Sequence, residues 1–433
     1  MDCCLQFAGR SFAQGEKQHL RSAKIIRPRY VEQFRCIGGD CEDSCCVGWS
    51  VAIDKQTFDK YQLIPAGALR NLIDTNVLRS PCNADGSAPP EYASMQMSPS
   101  NKCPMHNADN LCQIQLEHGE GYLSRTCSTF PRQTYTIDKL EETTLTLSCP
   151  EAARIVLTNT RLLGHPDQQY GVKSWDDKPG SHTKPIRYFW HIREFTVTLL
   201  QNRNYALWQR LFLLGTFSRR LETVFQQGAQ GNFSALETGF SQAIAQGTLR
   251  KSMESMPANN ALQLDLVLCL AKLPLGAGND VRPRLIECLN VFLAGIGHGT
   301  LSFEKQCEAY AAAYKDFYEP FFLKFPGTLE NLLLNMVFRS AFPFGTGIFA
   351  NQKTVEPARQ YALLVTEFAL IKGLLIGVAG ARKQAFCLDD VVRTVQLVVK
   401  HFEHSERFVS LCLEMLAAKG LDNAYGLTML LRN

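Results

Sequence analysis

The uneven distribution of cysteine is the feature of this sequence that most restricts how the chain folds. Eleven of its 16 cysteines lie in residues 1–149, and four of them fall within the stretch CIGGDCEDSCCVGW at residues 36–49. The other five stand singly inside apolar helical patterns, as small core residues do. The chain therefore has a sulfur-rich first part and a second part whose core is made of ordinary apolar side chains.

The adjacent residues Cys45 and Cys46 indicate metal ligation more than disulfide bonding. Neighbouring Cα atoms lie about 3.8 Å apart, whereas a disulfide needs a Cα separation of roughly 4.4–6.8 Å. Residues 1–24 lack the unbroken apolar core of a secretory signal, so we expect a cytoplasmic protein whose thiols stay reduced. Cys41 and Cys45 are one helical turn apart and can face the same ion. Clustered free thiols predict a metal site.

Iron–sulfur and zinc are the two candidate metals. A structural zinc site is typically built on paired C-x2-C motifs, and the cysteine spacings in residues 36–46 do not contain one. An iron–sulfur cluster takes thiolates from different segments, so irregular spacing favours iron–sulfur, with zinc as the alternative. His106 and His118 are the nearest histidines that could replace a thiolate, although both positions are typical of a loop or a helix end.

Composition and charge favour a folded protein without a nucleic-acid or membrane partner. The chain has 433 residues, 45% hydrophobic and 20% charged, which suits two to three domains. The net charge is only +4 and the basic residues are scattered, so no basic surface for nucleic acid is expected. The most apolar stretch, residues 361–381, contains Glu367 and Lys372, which argues against a membrane span.

Residue patterns predict a mainly α-helical protein in two parts. Residues 1–163 form the predicted cysteine-rich, loop-rich metal-binding domain with a few short strands. Residues 164–186 are rich in Gly, Pro and Asp, as a linker is. Residues 187–433 repeat apolar side chains at three- and four-residue spacing, which predicts an all-helical domain. The strand candidates are residues 49–53, 134–137 and 144–149.

Three polar residues of the predicted helical domain are candidates for binding a cofactor. Glu330, Asn331 and Asn335 belong to LENLLLNMVF, and the two asparagines share one face of an apolar helix. Buried amides need partners, so a bound ligand or hydrogen bonds within the protein would explain them. A Rossmann nucleotide site is not expected, because the glycine-rich stretch at 273–280 follows a helical pattern and not a strand.

Four sequence blocks together resemble a known family. FRCIGGDCEDSCCVGWSVAIDKQTFDKY, CPMHNADNLCQIQ, GEGYLSRTCSTFPR and SCPEAAR follow one another in residues 34–154. Their arrangement resembles the flagellin lysine-N-methylases, part of a wider group of cysteine-rich proteins described as zinc- or iron-chelating. The resemblance continues through ENLLLNMVFRSAFPF and the following helices, so it covers most of the chain.

This resemblance implies methylation of the lysine ε-amines of flagellin, with S-adenosylmethionine as the donor and a [4Fe–4S] iron–sulfur cluster as the metal centre. Cys3, Cys4 and Cys82 fall outside the motif blocks and are not expected to bind metal. Eight cysteines inside the blocks are more than one cluster needs, and the resemblance does not say which four bind. The metal ligands carried over by position are Cys36, Cys41, Cys45, Cys46, Cys103, Cys112, Cys127 and Cys149.

Methyl transfer requires a neutral lysine amine in line with the sulfonium of the donor, in a site that excludes water. Asp40 and Asp43 alternate with the cysteines and are candidates for attracting the cationic substrate side chain, although a solvated turn would explain them equally. Both direct displacement and transfer at the cluster are open as routes.

Two other functional classes compete with the methyltransferase. One is a metal-binding redox protein whose cysteines carry electrons or sense oxidants. The other is a flagellin-handling chaperone or assembly protein in which a metal site is only structural. A cysteine-rich part joined to some 250 helical residues favours an enzyme that handles a large substrate over a small electron carrier.

Overall fold

The computed structural model describes most of the chain, and the statements below concern those residues. The described residues are 25–26, 28–48, 51–81, 91–137, 140–160, 162–163, 188–227, 232–272, 283–345, 356–402 and 406–433. The predicted linker at 164–186, the glycine-rich stretch at 273–280 and residues Cys3, Cys4 and Cys82 lie outside them.

The structure is mainly helical, as predicted, and its strands are short. The strands are β1 (Ile25–Ile26), β2 (Val51–Ile53), β3 (Val77–Arg79), β4 (Ala93–Met95), β5 (Arg132–Ile137) and β6 (Leu140–Leu145). The helices are α1 (Arg29–Gln33), α2 (Lys55–Gln62), α3 (Ala68–Asn76), α4 (Gln113–His118), α5 (Arg125–Thr129), α6 (Pro150–Thr158), α7 (Phe189–Leu200), α8 (Leu207–Gln226), α9 (Phe233–Gln246), α10 (Arg250–Glu254), α11 (Asn260–Ala271), α12 (Pro283–Gly295), α13 (Phe303–Ala313), α14 (Glu319–Lys324), α15 (Thr328–Arg339), α16 (Pro357–Arg382), α17 (Leu388–Phe402), α18 (Glu406–Ala418) and α19 (Ala424–Met429).

Contacts between residues divide the chain into two compact units. The cysteine-rich unit comprises Cys36–Phe130, and the helical unit comprises Ile26–Arg35 with Pro131–Asn433. The predicted domain bounds of 1–163 and 187–433 stay a prediction; in the structure, residues 131–163 pack with the helical unit. Strands β5 and β6 and helix α6 therefore belong to the same compact unit as the helices that follow them in the chain.

The cysteine-rich unit is built on a small antiparallel sheet with strand order β2–β4–β3. Helices α2 and α3 carry the apolar side chains Tyr61 and Ile73 into a core that also contains Ile53 and Met105. Helix α2 begins at a capped end, because the Asp54 carboxylate accepts hydrogen bonds from Thr57 N and Oγ1 at 2.9 and 2.8 Å. Of the predicted strand at 49–53, the described residues 51–53 form β2.

The helical unit is arranged around the 26-residue helix α16. Helices α8, α11, α12 and α17 all pack against it. Glycines allow the closest approach: a Cβ added at Gly295 of α12 would lie 1.8 Å from the carbonyl oxygen of Gly377 in α16. By length and composition α16 could cross a membrane, but 89% of its apolar window is buried inside the protein, as in a core helix.

Each periodic segment predicted to be helical forms helix over most of its described residues, with turns inside or at the end of some segments. The pattern over 187–225 forms two helices, α7 and α8, separated by a turn at residues 201–206. The strand predicted at 134–137 is part of β5, which pairs in register with β6 in an antiparallel hairpin. The strand predicted at 144–149 was placed too late, because β6 ends at Leu145 and a turn over residues 147–149 leads into α6.

Candidate metal centre

Backbone hydrogen bonds bring three cysteines of the cysteine-rich unit together. The N–H of Cys103 donates to the carbonyl of Cys46 at 2.8 Å, and Val47 and Lys102 form an antiparallel bridge beside it. A second bridge joins His106 to Cys112, and Gln113 N donates to Met105 O at 2.8 Å. Cys46 and Cys112 both pack against the core that contains Cys103.

Cys127 is held in place by a helix cap. Ser124 Oγ accepts a hydrogen bond from Cys127 N at 3.3 Å at the start of α5. The Asp54 carboxylate, which caps α2, also accepts from Arg125 N at 3.4 Å, and α5 packs against β2. The beginnings of α2 and α5 are therefore tied to one carboxylate, and the position of Cys127 follows from both caps.

Four thiols from separate segments form what we call the thiol quartet: Cys46, Cys103, Cys112 and Cys127. Each of the four interacts electrostatically with the other three. Desolvation raises the pKa of Cys103 to about 12 and that of Cys127 to about 11, although part of residue Cys127 is exposed. Desolvation also raises the pKa of Cys112. Ionising all four thiols in one place without a cation is unfavourable.

The adjacent Cys45 and Cys46 differ in their ionisation. The Cys45 thiol donates a hydrogen bond to the Cys46 sulfur, which raises the pKa of Cys45 far above its usual range and lowers that of Cys46 to about 7. Cys46 is thus the member of the quartet that is most readily a thiolate. Lys102, whose neighbour Cys103 belongs to the quartet, also favours the ionised form of Cys46.

The quartet fits an iron–sulfur cluster in the number and kind of its donors, because such clusters are held by four cysteine thiolates. Within the ranges that the structure describes, no three His, Cys, Asp or Glu side chains already stand in an arrangement that would hold a single metal ion. The thiols are neighbours fixed by backbone pairing and by a helix cap, and a bound cation would offset their mutual repulsion.

The remaining predicted ligands lie outside the thiol quartet, although Cys45 is hydrogen-bonded to Cys46 and also interacts electrostatically with Cys127. Cys36 and Cys41 flank the turn Gly38–Asp40: Cys36 Sγ accepts from Gly38 N at 3.4 Å and Cys41 Sγ donates to Asp43 O at 3.5 Å. Cys36, Cys41 and Cys45 thus line the same loop as Cys46, and Cys36 interacts electrostatically with Cys41 and with Cys45. Cys149 belongs to the helical unit, where it is buried at the N-cap of α6.

The two candidate substrate-attracting carboxylates lie in this loop. Asp40 ends the turn and is exposed, whereas Asp43 is half-buried. Of the nearby histidines, His106 lies beside Cys112 through its backbone bridge, and desolvation lowers the pKa of its ring, which favours the neutral form. His118 ends α4 and stacks at a tilt against Tyr122, with ring centroids 5.0 Å apart.

The candidate cofactor residues in α15 have partners within the helical unit. The Glu330 carboxylate accepts from Arg203 at 3.0 Å and from Arg210 at 2.7 Å. Asn331 Nδ2 donates to the carbonyls of Val156 and Asn159, at 3.0 and 2.7 Å. Asn335 Nδ2 donates to Leu145 O at 3.0 Å. These contacts give all three side chains a place in the internal hydrogen-bond network, the alternative role that the sequence left open.

Sequence reasoning missed the paired buried charges of the helical unit. Glu367, which looked only like an interruption of an apolar stretch, accepts from the nearly buried Arg339 at 2.6 Å. Lys372 donates to Leu431 O and Asn433 Oδ1 and lies over the ring of Tyr314, 5.4 Å from its centroid. Burial lowers the pKa of Lys372 to about 7. The missed signal was a charge inside a helix that is apolar on every side.

Comparison with models of known protein families shows to which family the chain is related. The model of the FliB lysine N-methylase C-terminal domain matches residues 193–430, more than half of the chain. The chain belongs to the FliB lysine N-methylase family. The resemblance noted in the cysteine-rich blocks is thereby supported by the helical half, although the family model does not extend over the cysteine motif.

Curated relatives of this FliB-family chain align beyond the matched domain. A protein named lysine-N-methylase from Salmonella choleraesuis (strain SC-B67) is 24% identical over 396 residues, 89% of this chain and 93% of the relative. A flagellar biosynthetic protein named FliU, from Salmonella muenchen, is 30% identical over 180 residues, 41% of this chain and 98% of the relative. No solved structure matches the chain significantly.

Proposed function

We propose that this FliB-family chain is a protein-lysine N-methyltransferase that methylates lysine side chains of flagellin with S-adenosylmethionine. The observation that carries the proposal is the family match over residues 193–430, together with an alignment of 89% of the chain to a relative named lysine-N-methylase. The name of the FliU relative, a flagellar biosynthetic protein, supports a flagellar substrate.

The net reaction is a transfer of one methyl cation equivalent. A bond forms between the lysine nitrogen and the methyl carbon, and the carbon–sulfur bond of the sulfonium breaks with its electron pair staying on sulfur. The substrate lysine is protonated at neutral pH and must lose its proton before it reacts as a nucleophile. The products are a methylated lysine, S-adenosylhomocysteine and that proton. Further methyl groups require further donor molecules.

In this proposal the thiol quartet holds a [4Fe–4S] cluster, with zinc as the alternative metal. Such a cluster, when bound, supplies an electron-transfer or Lewis-acidic centre. The four quartet residues come from segments already joined by backbone hydrogen bonds and a helix cap, which supports them over the other four predicted cysteines. Asp40 and Asp43 place two carboxylates in the same loop, where they would attract a cationic lysine side chain.

A second function has one observation in its favour. Cys103 belongs to the apolar core of the cysteine-rich unit, and Cys46 and Cys112 pack against that core. A metal bound there would stabilise the unit directly, as structural metals do in small domains. A flagellin-handling or redox protein with a structural metal would have the same arrangement, and only an activity measurement separates these readings.

The test uses full-length protein purified without oxygen. We expect iron and sulfide in comparable amounts, visible absorbance, and stepwise mass gains in flagellin when S-adenosylmethionine is added. Cys112→Ser should lose iron and absorbance together, and the matched exposed cysteine of the helical unit, Cys269→Ser, should keep both. A colourless protein with stoichiometric zinc would show that the metal is zinc and not an iron–sulfur cluster. Flagellin of unchanged mass would refute the proposed methyltransferase activity.

A second comparison separates catalysis from folding. The double variant Asp40→Asn with Asp43→Asn should keep its metal and its melting temperature, because neither carboxylate belongs to the thiol quartet. Its methyl transfer to flagellin should weaken, since two negative charges near the incoming lysine are lost. Unchanged kinetics in the folded, metal-loaded double variant would place the substrate-binding surface away from residues 36–49.

A further inference from the structure

A cavity within the helical unit has no role in the arrangement described so far. It lies between strand β5 and helices α15, α16, α17 and α18, and its volume is about 350 Å³. All of its lining residues belong to the helical unit. Small-molecule sites have volumes of roughly 300–1,000 Å³ and mostly apolar walls with a few polar groups. A cavity of this size suits one small molecule, and it is larger than a single lysine side chain requires.

One wall of the cavity carries a pair of opposite charges. The guanidinium of Arg339 donates to the carboxylate of Glu367 at 2.6 Å, and the two side chains are only 4% and 17% exposed. Tyr135 supports this wall, because its hydroxyl donates to the carbonyl of Arg339 at 2.9 Å. A cation and an anion side by side in a desolvated wall are complementary to a ligand with a carboxylate next to an ammonium group. The head group of an α-amino acid has that pattern.

The rest of the cavity suits a flat, partly polar body. Phe402 and Phe408 line it with rings that meet edge to face, 5.0 Å between centroids and 74° between planes. Met336 adds a polarisable thioether. Gln133, Ser340 and Gln360 also line the cavity and add polar groups to its wall.

We propose that this cavity is the binding site of the methyl donor. S-Adenosylmethionine combines an α-amino acid head group, for the Arg339–Glu367 pair, with an adenosine body, for the aromatic wall and the polar lining residues. The assignment rests on the proposed function for the identity of the ligand. It rests on the cavity for the location, which is separate in sequence from the thiol quartet.

Binding is measured without turnover, by titration calorimetry of the full chain with the unreactive product S-adenosylhomocysteine. Glu367→Gln removes the charge that faces the ligand ammonium, and we expect affinity to fall about 10- to 100-fold. The matched control is Glu287→Gln, which alters an exposed ion pair with Arg393 outside the cavity and should leave affinity unchanged. Adenosine alone, which lacks the amino acid part, should bind with the same affinity to wild type and to Glu367→Gln.

A second variant guards against loss of folding in the first. Leu363→Phe fills the cavity from α16 without touching a charge, and it should also weaken binding of S-adenosylhomocysteine. Its control, Leu323→Phe, enlarges a side chain that is 75% exposed on α14 and should bind like wild type. In wild type the ligand should raise the melting temperature, and this rise should shrink in Leu363→Phe and persist in Leu323→Phe.

The outcomes distinguish failure of the donor-site proposal from failure of the proposed methyltransferase function. Wild-type affinity in both cavity variants overturns the donor site, and so does binding that is lost only in Cys112→Ser. Donor binding at the cavity without any methyl transfer to flagellin would leave the site in place and reject the proposed function.

Discussion

The two units of this protein are stabilised by different means. In the helical unit, long helices surround α16, and several buried charges are paired, as in Glu142 with Arg193 at 2.8 Å. The cysteine-rich unit has short helices and strands, a small core with three cysteines within or against it, and a quartet of thiols that disfavour one another's ionisation. A small domain buries a smaller share of its surface than a large one does, so a bound metal would contribute a larger fraction of its stability. The comparison indicates that the helical unit is stabilised by apolar packing, whereas the cysteine-rich unit would gain much of its stability from the proposed metal.

Removing the metal should give the largest effect and tests this comparison directly. Metal chelation or Cys103→Ser should abolish the protection of β2, β4 and α2 against hydrogen exchange, because metal binding in small domains contributes on the order of 10 kcal/mol. Protection of α16 should persist. Hydrogen exchange followed by mass spectrometry measures both regions in one sample. Equal loss of protection in the two regions would refute the idea that only one of them depends on metal.

Breaking a buried ion pair should give the next largest effect, now in the helical unit. Glu142→Ala leaves the guanidinium of Arg193 buried with its charge unpaired, and we expect a loss of about 3–5 kcal/mol in unfolding free energy. Urea denaturation of wild type and variant measures this difference in unfolding free energy. The control is Glu308→Ala, which removes an exposed partner of Lys305 in the same unit and should cost about 0–1 kcal/mol. A loss no greater than the control would mean that Arg193 finds other compensation.

Close helix packing predicts a smaller effect that depends on position. Gly295→Ala would place a Cβ 1.8 Å from the Gly377 carbonyl, and overpacking of this kind costs about 1–3 kcal/mol. Gly239→Ala in α9 meets nothing within 4 Å and should stabilise the protein by about 0.5–1 kcal/mol. Thermal unfolding of the two variants should therefore shift in opposite directions. Shifts of the same sign would show that α12 moves away from α16 at little cost.

The last prediction concerns the pH dependence that Lys372 adds, which is smallest when measured within a single pH unit. Its pKa is about 7 in the folded chain and 10.5 in the reference state, so between these values the unfolded chain binds the extra proton. Stability must then rise with pH across this window. The difference in unfolding free energy between wild type and Lys372→Met should grow by up to about 1.4 kcal/mol per pH unit from pH 7.5 to 9.5. A difference that stays flat would mean that Lys372 keeps an ordinary pKa.

The helices could be predicted from the sequence more reliably than their polar contacts. Apolar periodicity located α11, α12, α15, α16 and α17 because burial of one helix face leaves a repeat in the residues themselves. Strand β6 was misplaced by four residues, since the alternation of TLTLSC continues past Leu145 into a turn. The pairings of Glu330 with Arg210 and of Glu367 with Arg339 join residues far apart in the chain, and no local pattern records them.

The grouping of the cysteines could be expected from the sequence, but not which of them lie together. Composition and the adjacent cysteines indicated metal ligation. Which cysteines form the thiol quartet follows instead from interactions between residues of separate segments: Cys46, Cys103, Cys112 and Cys127. The metal itself stays a prediction. Cys149, part of the same motif by resemblance, belongs by its contacts to the helical unit.

The hydrogen bond from Cys103 N to Cys46 O also bears on how such sites evolve. It ties two thiol-bearing segments together by direct backbone pairing, so a connection between the strands and helices of the intervening 56 residues could change length without moving either sulfur. Closing a longer loop costs little, about 0.6 kcal/mol for each doubling of its length. Insertions in this interval should therefore be tolerated, and a search for related metal sites by fixed cysteine spacing would overlook proteins that share the same pairing.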